Sequence, residues 1–538
     1  MSTTYRILVT DGVDPEGVAV LTAVPQFRVE EVPTLPAAEL AARIANYDAI
    51  VGRSATRVSA DLLRAATRLR VVGRAGVGVD NVAIDAATEL GVAVINAPAG
   101  NTVAVAELLF GCLLGLLRRI PQATTSLHEG RWERAQLMGS ELKGRRLGII
   151  GLGRIGGEVA VRARAFGMDL VGYDPYVTDE RFLALRVQRA PSLDELLGVS
   201  DIVTVHTPLT DETTALIGAR ELARLRPHAI VANLARGGIL DEAALIEALR
   251  SGRLGGAAID AFASEPLTGE HHFRGVPNLL LTPHIGASTQ EAQRNVAVDV
   301  CEAVRDALLN DELSRSLNVE TGEGRAWREL QPVLQLTQRS SAVARACLAE
   351  RGARAVTWLS VRCGTELRGS GSALLAAAAV GVLEGIVGPG RLNLINARAL
   401  AVTRGMQLSS TEGAAGLPPF GIEVELGADT QELTVAGSAP PGGVPRLTRI
   451  GDFHVDVNPR DTLVIITNRD VPGVIGRVGT LLGDAGVNIA EYHQARLAQG
   501  GEALAAISVD GTMGEATRTA LLAIPEILSA AVVRFRSS

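Results

Sequence analysis

Three polar residues stand just after apolar, strand-like runs in the middle of this chain. Arg236 follows Ala229–Asn233, Glu265 follows Ala257–Phe262, and His284 follows Leu279–Thr282. Ligands of doubly wound sheets lie outside the carboxyl ends of the strands, so successive strands would bring these three to one edge. An imidazole titrates near neutrality and can take the proton from a hydroxyl whose carbon loses a hydride. A carboxylate beside it fixes the tautomer and stabilises the imidazolium. A guanidinium grips a substrate carboxylate through two parallel bonds and polarises the 2-oxygen. The set suits hydride transfer on a 2-hydroxy acid. His206 is the rival base, but His206-Thr207-Pro208 lies on an earlier strand, nearer the middle of a bound cofactor, and His284 is preferred.

A hydride needs an acceptor. Gly151-Leu152-Gly153-Arg154-Ile155-Gly156 follows the apolar run Arg146–Ile150 and opens the amphipathic stretch Ile155–Phe166. Glycines at that spacing let a pyrophosphate approach the backbone at a helix N-terminus. Asp174 ends the next strand. A carboxylate there accepts from ribose hydroxyls and repels a 2′-phosphate, so the expected cofactor is NAD and not NADP.

The elements that must position these residues read as βα units. Short apolar runs (Arg6–Thr10, Ala49–Gly52, Arg70–Gly73, Val92–Asn96) alternate with helical stretches before residue 100, and a second such series starts near Arg145. That alternation implies two doubly wound parallel sheets, an α/β architecture. Thr102–Arg118 and Ser288–Leu309 read as long helices. The texture changes near residue 318, where Glu320–Gly324 reads as a linker. The last part returns to a compact ββ/α pattern.

Several motifs carry a family resemblance. Asn233–Gly238, Asp260–Pro266, Pro283–Thr289 and the Gly151–Gly156 turn resemble the signatures of the D-isomer-specific 2-hydroxyacid dehydrogenases. Arg53–Thr56 and Gly73–Asn81 resemble the branch of that family that oxidises 3-phosphoglycerate, in its long form. The resemblance implies a flavodoxin-like substrate-binding domain in two parts, 1–98 and 287–317, around a Rossmann NAD-binding domain, 99–286. It further implies an α+β intervening domain, 318–455, and a ferredoxin-like βαββαβ ACT domain, 460–538. The implied reaction is NAD-dependent oxidation of 3-phospho-D-glycerate to 3-phosphooxypyruvate, the first step of L-serine biosynthesis, with L-serine as feedback effector and a homotetramer as assembly. It gives Arg236, Glu265 and His284 the roles stated above and adds Thr207, Pro208, Ala235, Asp260 and Gly286 to the cofactor site.

A substrate anionic at both ends needs two cradles. Arg236 and the Gly76-Val77-Gly78 backbone suit the carboxylate. Arg53, Ser54 and Arg74 suit the phosphate. Asn101 opens the long helix as a cap or as a ligand contact. Resemblance also brings Trp132 and Arg134 toward a neighbouring subunit's site. In the last domain Asp470 and Asn488 match effector contacts, and Asn468 stands where His or Tyr is expected. Two alternatives remain at this point: another D-2-hydroxyacid dehydrogenase, such as a glycerate or hydroxypyruvate reductase, and an NAD-sensing, corepressor-like interaction protein.

Composition narrows the classes. The 538 residues carry a net charge of −7, and a single lysine, Lys143, stands among 52 basic residues. That balance argues against nucleic acid or an anionic membrane as partner. Four cysteines without a paired short spacing give no metal or redox motif. The longest apolar runs, Leu108–Leu117 and Ala373–Leu383, are shorter than the ~20 residues that span a bilayer. A cytoplasmic enzyme without a metal is expected.

Overall fold

The computed structural model describes residues 4–319, 327–353, 355–386 and 392–535, so the expected linker Glu320–Gly324 lies outside the described residues. The first sheet contains β1 (Tyr5–Val9), β2 (Phe27–Glu31), β3 (Ala49–Gly52), β4 (Val71–Arg74) and β5 (Ala93–Asn96). All pairs are parallel, in the order β2-β1-β3-β4-β5, which is the flavodoxin-like order. Helix Gln290–Asn310 returns from far along the chain to cover this sheet. Its Val296, Val300, Val304 and Leu308 share a core with Ile7, Val9, Val51 and Ile95. Thr289 starts that helix, its hydroxyl accepting from the N–H of Ala292.

The second sheet contains β6 (Arg146–Ile150), β7 (Asp169–Tyr173), β8 (Gln188–Arg189), β9 (Ile202–Val205), β10 (Ile230–Asn233), β11 (Gly256–Ile259) and β12 (Leu279–Leu281). Its order is β12-β11-β10-β9-β6-β7-β8, again parallel throughout. The strand order reverses at β6, so the crevice of a Rossmann sheet opens at the end of β6, where Gly151 begins the turn. Helix Thr102–Leu117, apolar nearly all round, is buried against this unit through Val105, Leu109 and Leu113. The strand expected over Ala257–Phe262 stops at Ile259, and the side chain of the next residue, Asp260, serves the loop around His284.

The third sheet, β13 (Val356–Cys363), β14 (Gln407–Thr411), β15 (Gly421–Ala428), β16 (Gln431–Ser438), β17 (Arg446–Ile450) and β18 (Phe453–Val457), is antiparallel except between β13 and β14. Helices Trp327–Glu350 and Gly371–Leu383 supply its core. The fourth, β19 (Thr462–Arg469), β20 (Ile489–Arg496), β21 (Glu502–Val509) and β22 (Ile527–Arg534), is antiparallel in the order β20-β21-β19-β22. Period-two alternation splits β19 between two cores. Val464 and Ile466 face helices Val474–Asp484 and Glu515–Leu522, while Leu463 and Ile465 join the core of the preceding unit. Among the described residues no helix is long and apolar enough to cross a membrane.

Candidate active site

The base candidate stands on a loop built to hold it. His284 follows β12 with φ of +52°. Its Nδ1 lies 2.8 Å from Glu265 Oε2 and 3.0 Å from Oε1. A carboxylate only accepts, so Nδ1 carries the proton and Nε2 keeps its lone pair. Glu265 is itself fixed, since its Oε1 accepts from the Phe262 N–H at 2.9 Å. Asp260 is 1% exposed and carries the other side of the loop. Its carboxylate accepts from the Thr282 hydroxyl (2.6 Å) and from the N–H groups of Ile285 and Gly286 (2.8 Å each). Asp260 and Gly286 thus bracket His284.

His206 has no such partner. Its Nε2 is 2.9 Å from the Thr204 hydroxyl, and its Nδ1 is buried without a partner. Burial lowers its pKa to about 4, so it stays neutral and is a poor proton store near pH 7.

Arg236 comes from the loop after β10, which Asn233 shapes by bonding Arg236 O (2.8 Å) and the Ala235 N–H (3.1 Å). Gly237 lets this loop press on the chain leading to Glu265, for a Cβ there would meet Phe262 O at 1.9 Å. Facing it is the loop after β4. Arg236 Nε is 3.3 Å from Asp80 Oδ2, and a Cβ on Gly78 would fall 2.2 Å from Arg236 Nη2. Arg74 lies beside Gly76, whose φ is +154° and whose absent Cβ leaves room for the Arg74 guanidinium. Arg74 Nε is buried without a partner. Burial, and then the charge of Arg236, lower its pKa to about 10. Arg53 adds to that field, so three guanidiniums gather where the two α/β units meet. Ser54 is exposed beside Arg53. Asn101 precedes helix Thr102–Leu117 without capping it through its side chain, and its Oδ1 is buried and unpartnered.

The Gly151–Gly156 turn fits a dinucleotide. Gly151 has φ of +90°, and a Cβ on Gly156 would strike Gly151 O at 2.0 Å, so the strand and the helix Arg154–Ala165 approach as closely as glycine permits. Gly153 faces open space, where a pyrophosphate needs access. Arg154 and Ile155 form the first turn of that helix. Asp174 is held by the N–H groups of Leu152 (2.8 Å) and Tyr176 (2.9 Å), which aims its carboxylate beside the turn. Thr207 has its methyl group against Gly151 and its hydroxyl buried with no partner. The Pro208 carbonyl accepts from Thr213 at 2.7 Å. Arg181, which the motif reading passed over, ties Leu152 O (3.1 Å) and Gly153 O (2.9 Å) from a neighbouring helix. Its spacing from the turn gives no sequence signal.

The effector candidates are not gathered within one chain. Asp470 follows the end of β19, where its Oδ2 accepts from Arg496 (3.3 Å) and from the Gly500 N–H (3.2 Å). Asn488 binds Asp510 Oδ2 at 2.6 Å. Arg469 pairs with Glu502 and Thr462 with Val509, so the two lie at opposite ends of β19, roughly 23 Å apart by strand rise. Asn468 is 1% exposed, its amide spent on Arg469 O and on Gln494. Trp132 is 82% exposed, just before the short helix Arg134–Leu137. Among the described residues no cluster of three or more His, Cys, Asp or Glu could hold a metal ion.

Comparison with known proteins places this geometry. Residues 110–286 match the D-isomer specific 2-hydroxyacid dehydrogenase NAD binding domain, and residues 462–526 match the ACT domain. NAD is therefore the cofactor. A D-3-phosphoglycerate dehydrogenase of Synechocystis sp. is 38% identical, covering 96% of this chain and 93% of its own. One from Bacillus subtilis is 37% identical, covering 98% and 99%. A crystal structure of a protein from Thermus thermophilus has a TM-score of 0.54 at 34% identity, over 58% of this chain and 99% of its own. With that similarity running through all four sheets, the chain belongs to the D-3-phosphoglycerate dehydrogenase family of the D-isomer-specific 2-hydroxyacid dehydrogenases.

Proposed function

We propose that this enzyme oxidises 3-phospho-D-glycerate to 3-phosphooxypyruvate, the reaction that opens L-serine synthesis. The observations that carry the reading are the His284–Glu265 contact of 2.8 Å after β11 and β12 and the three guanidiniums gathered around Arg74. Arg236 holds the substrate carboxylate and draws electron density from the 2-oxygen, helped by the Gly76–Gly78 backbone. Arg53, Ser54 and Arg74 hold the phosphate, and Asn101, whose Oδ1 is buried without a partner, is a further ligand contact. His284 Nε2 takes the hydroxyl proton as the C2–H bond breaks. Glu265 keeps the imidazole in the required tautomer and stabilises the imidazolium that forms. NAD, when bound, supplies the acceptor for the hydride. Thr207, Pro208, Ala235, Asp260, Gly286 and the Gly151–Gly156 turn line its site, and Asp174 selects it over NADP.

The reading divides the chain into domains at 1–98 with 287–317, 99–286, 318–455 and 460–538. L-serine is the effector, held between the Asp470 end of one ACT domain and the Asn488 end of another. The opposite placement of those residues fits such a shared site, and the reading takes the assembly to be a homotetramer and its place the cytoplasm. Full-length relatives carrying the phosphoglycerate dehydrogenase name favour this reading over a glycerate reductase or an NAD-sensing protein. The test is NADH formation from 3-phosphoglycerate with coupled product removal, with and without L-serine. Turnover with this substrate is expected. Its absence, with NAD still bound, overturns the reading.

A further inference from the structure

A phosphate cradle made of one short loop works only if that loop is held before the ligand arrives. Residues 53–56 follow β3, and Asp11 follows β1, its neighbour in the sheet (Val9 pairs with Val51). In the order β2-β1-β3-β4-β5 the connections diverge between β1 and β3, and ligands of such sheets bind at that switch point. Asp11 has φ of +64°, which aims its carboxylate across the gap. Its Oδ2 accepts from the N–H groups of Arg53 (2.8 Å) and Thr56 (2.9 Å). Its Oδ1 accepts from the hydroxyls of Thr56 (2.7 Å) and Thr34 (2.8 Å). Four donors fill the acceptor positions of the carboxylate and so fix its orientation.

The same loop is gripped from its other side. Asn81, after β4, donates to Arg53 O (2.9 Å) and Thr56 O (2.6 Å). Both ends of the loop are therefore fixed through N–H and C=O alike, while Ser54 and Ala55 between them are exposed. Gly52 keeps the gap open, since a Cβ there would reach the Thr10 hydroxyl at 2.5 Å.

We propose that Asp11, with Asn81 opposite, is a positioning residue that presets the Arg53–Thr56 loop as the phosphate cradle and so sets preference for a phosphorylated substrate. The proposal rests on the 3-phosphoglycerate reading. It differs from that reading in assigning selectivity to residues that touch no ligand. Steady-state kinetics of the full-length enzyme with 3-phosphoglycerate and with D-glycerate, at saturating NAD, test it in Asp11→Asn and Asn81→Ala. The KM for 3-phosphoglycerate is expected to rise about 10–100-fold, with kcat and the KM for D-glycerate within about threefold of wild type. An equal rise for both substrates, or none for 3-phosphoglycerate, overturns the proposal. Asn81→Ala alone decides the matter if Asp11→Asn does not fold. A wild-type enzyme that handles D-glycerate as well as 3-phosphoglycerate overturns instead the substrate reading beneath it.

Discussion

Gly78→Ala separates the grip on the substrate carboxylate from the stability of the fold. The new Cβ would lie 2.2 Å from Arg236 Nη2 and 2.8 Å from Asp80 Oδ2. Ordinary contact needs about 3.5 Å, so the guanidinium must retreat by about 1.3 Å. It can do so, being the far end of a flexible side chain, and Gly78 is not among the residues with positive φ. Removing a glycine also restricts the unfolded chain, so the melting temperature should hold or rise slightly. Catalysis has no such latitude. A displacement of about 1 Å in a substrate-orienting group costs about 100-fold in rate, or about 2.7 kcal/mol. The assay is kcat/KM for 3-phosphoglycerate beside NAD affinity and thermal unfolding. A fall of about 100-fold in the first, with the other two unchanged, is expected. A kcat/KM within about threefold of wild type would refute the placement of Arg236 over the reacting carboxylate.

Three further outcomes follow from the geometry. Glu265→Gln leaves a weaker acceptor at His284 Nδ1; the contact is partly exposed, so kcat should fall about 10–30-fold with KM little changed, measured by steady-state rates. Asp174→Ala removes the carboxylate beside the dinucleotide turn, and should raise the KM for NAD about tenfold while improving use of NADP, read by parallel titrations. His206 has a folded pKa of about 4, below its unfolded value, so its contribution to stability is full above about pH 6.5 and declines as pH falls toward 4. The loss by pH 5 is about 2 kcal/mol and should vanish in His206→Gln, checked by denaturant unfolding at pH 7.5 and 5.

The architecture is legible in the sequence wherever one element has one duty. β-rich runs alternating with amphipathic stretches could only be βα units, and Gly151–Gly156 sits between a strand and a helix as its spacing requires. Residues at strand ends are legible for the same reason, since topology fixes the edge they reach, and Glu265 and His284 meet there at 2.8 Å. What spacing does not reveal is where a side chain spends its hydrogen bonds. Asp260 reads as a cofactor residue by resemblance, and its spacing does not show that its carboxylate also accepts from three donors of the His284 loop. Asn468 reads as an effector contact, yet it is sealed inside the last sheet. Asp11 gives no signal in sequence, because the loop it holds is more than forty residues away and is brought near only by the β1–β3 pairing. The shared core is hidden too. Leu463 and Ile465 look like any strand's alternate positions until the core of the preceding unit takes them in.

The most direct measurement of the central claim is the initial rate of NADH formation with 3-phosphoglycerate, set against D-glycerate and D-lactate, in wild type and in His284→Asn. A kcat/KM at least about 100-fold higher is expected for 3-phosphoglycerate, with a loss of about 100-fold or more in kcat without His284. Equal use of the three acids, or full activity without His284, would contradict it.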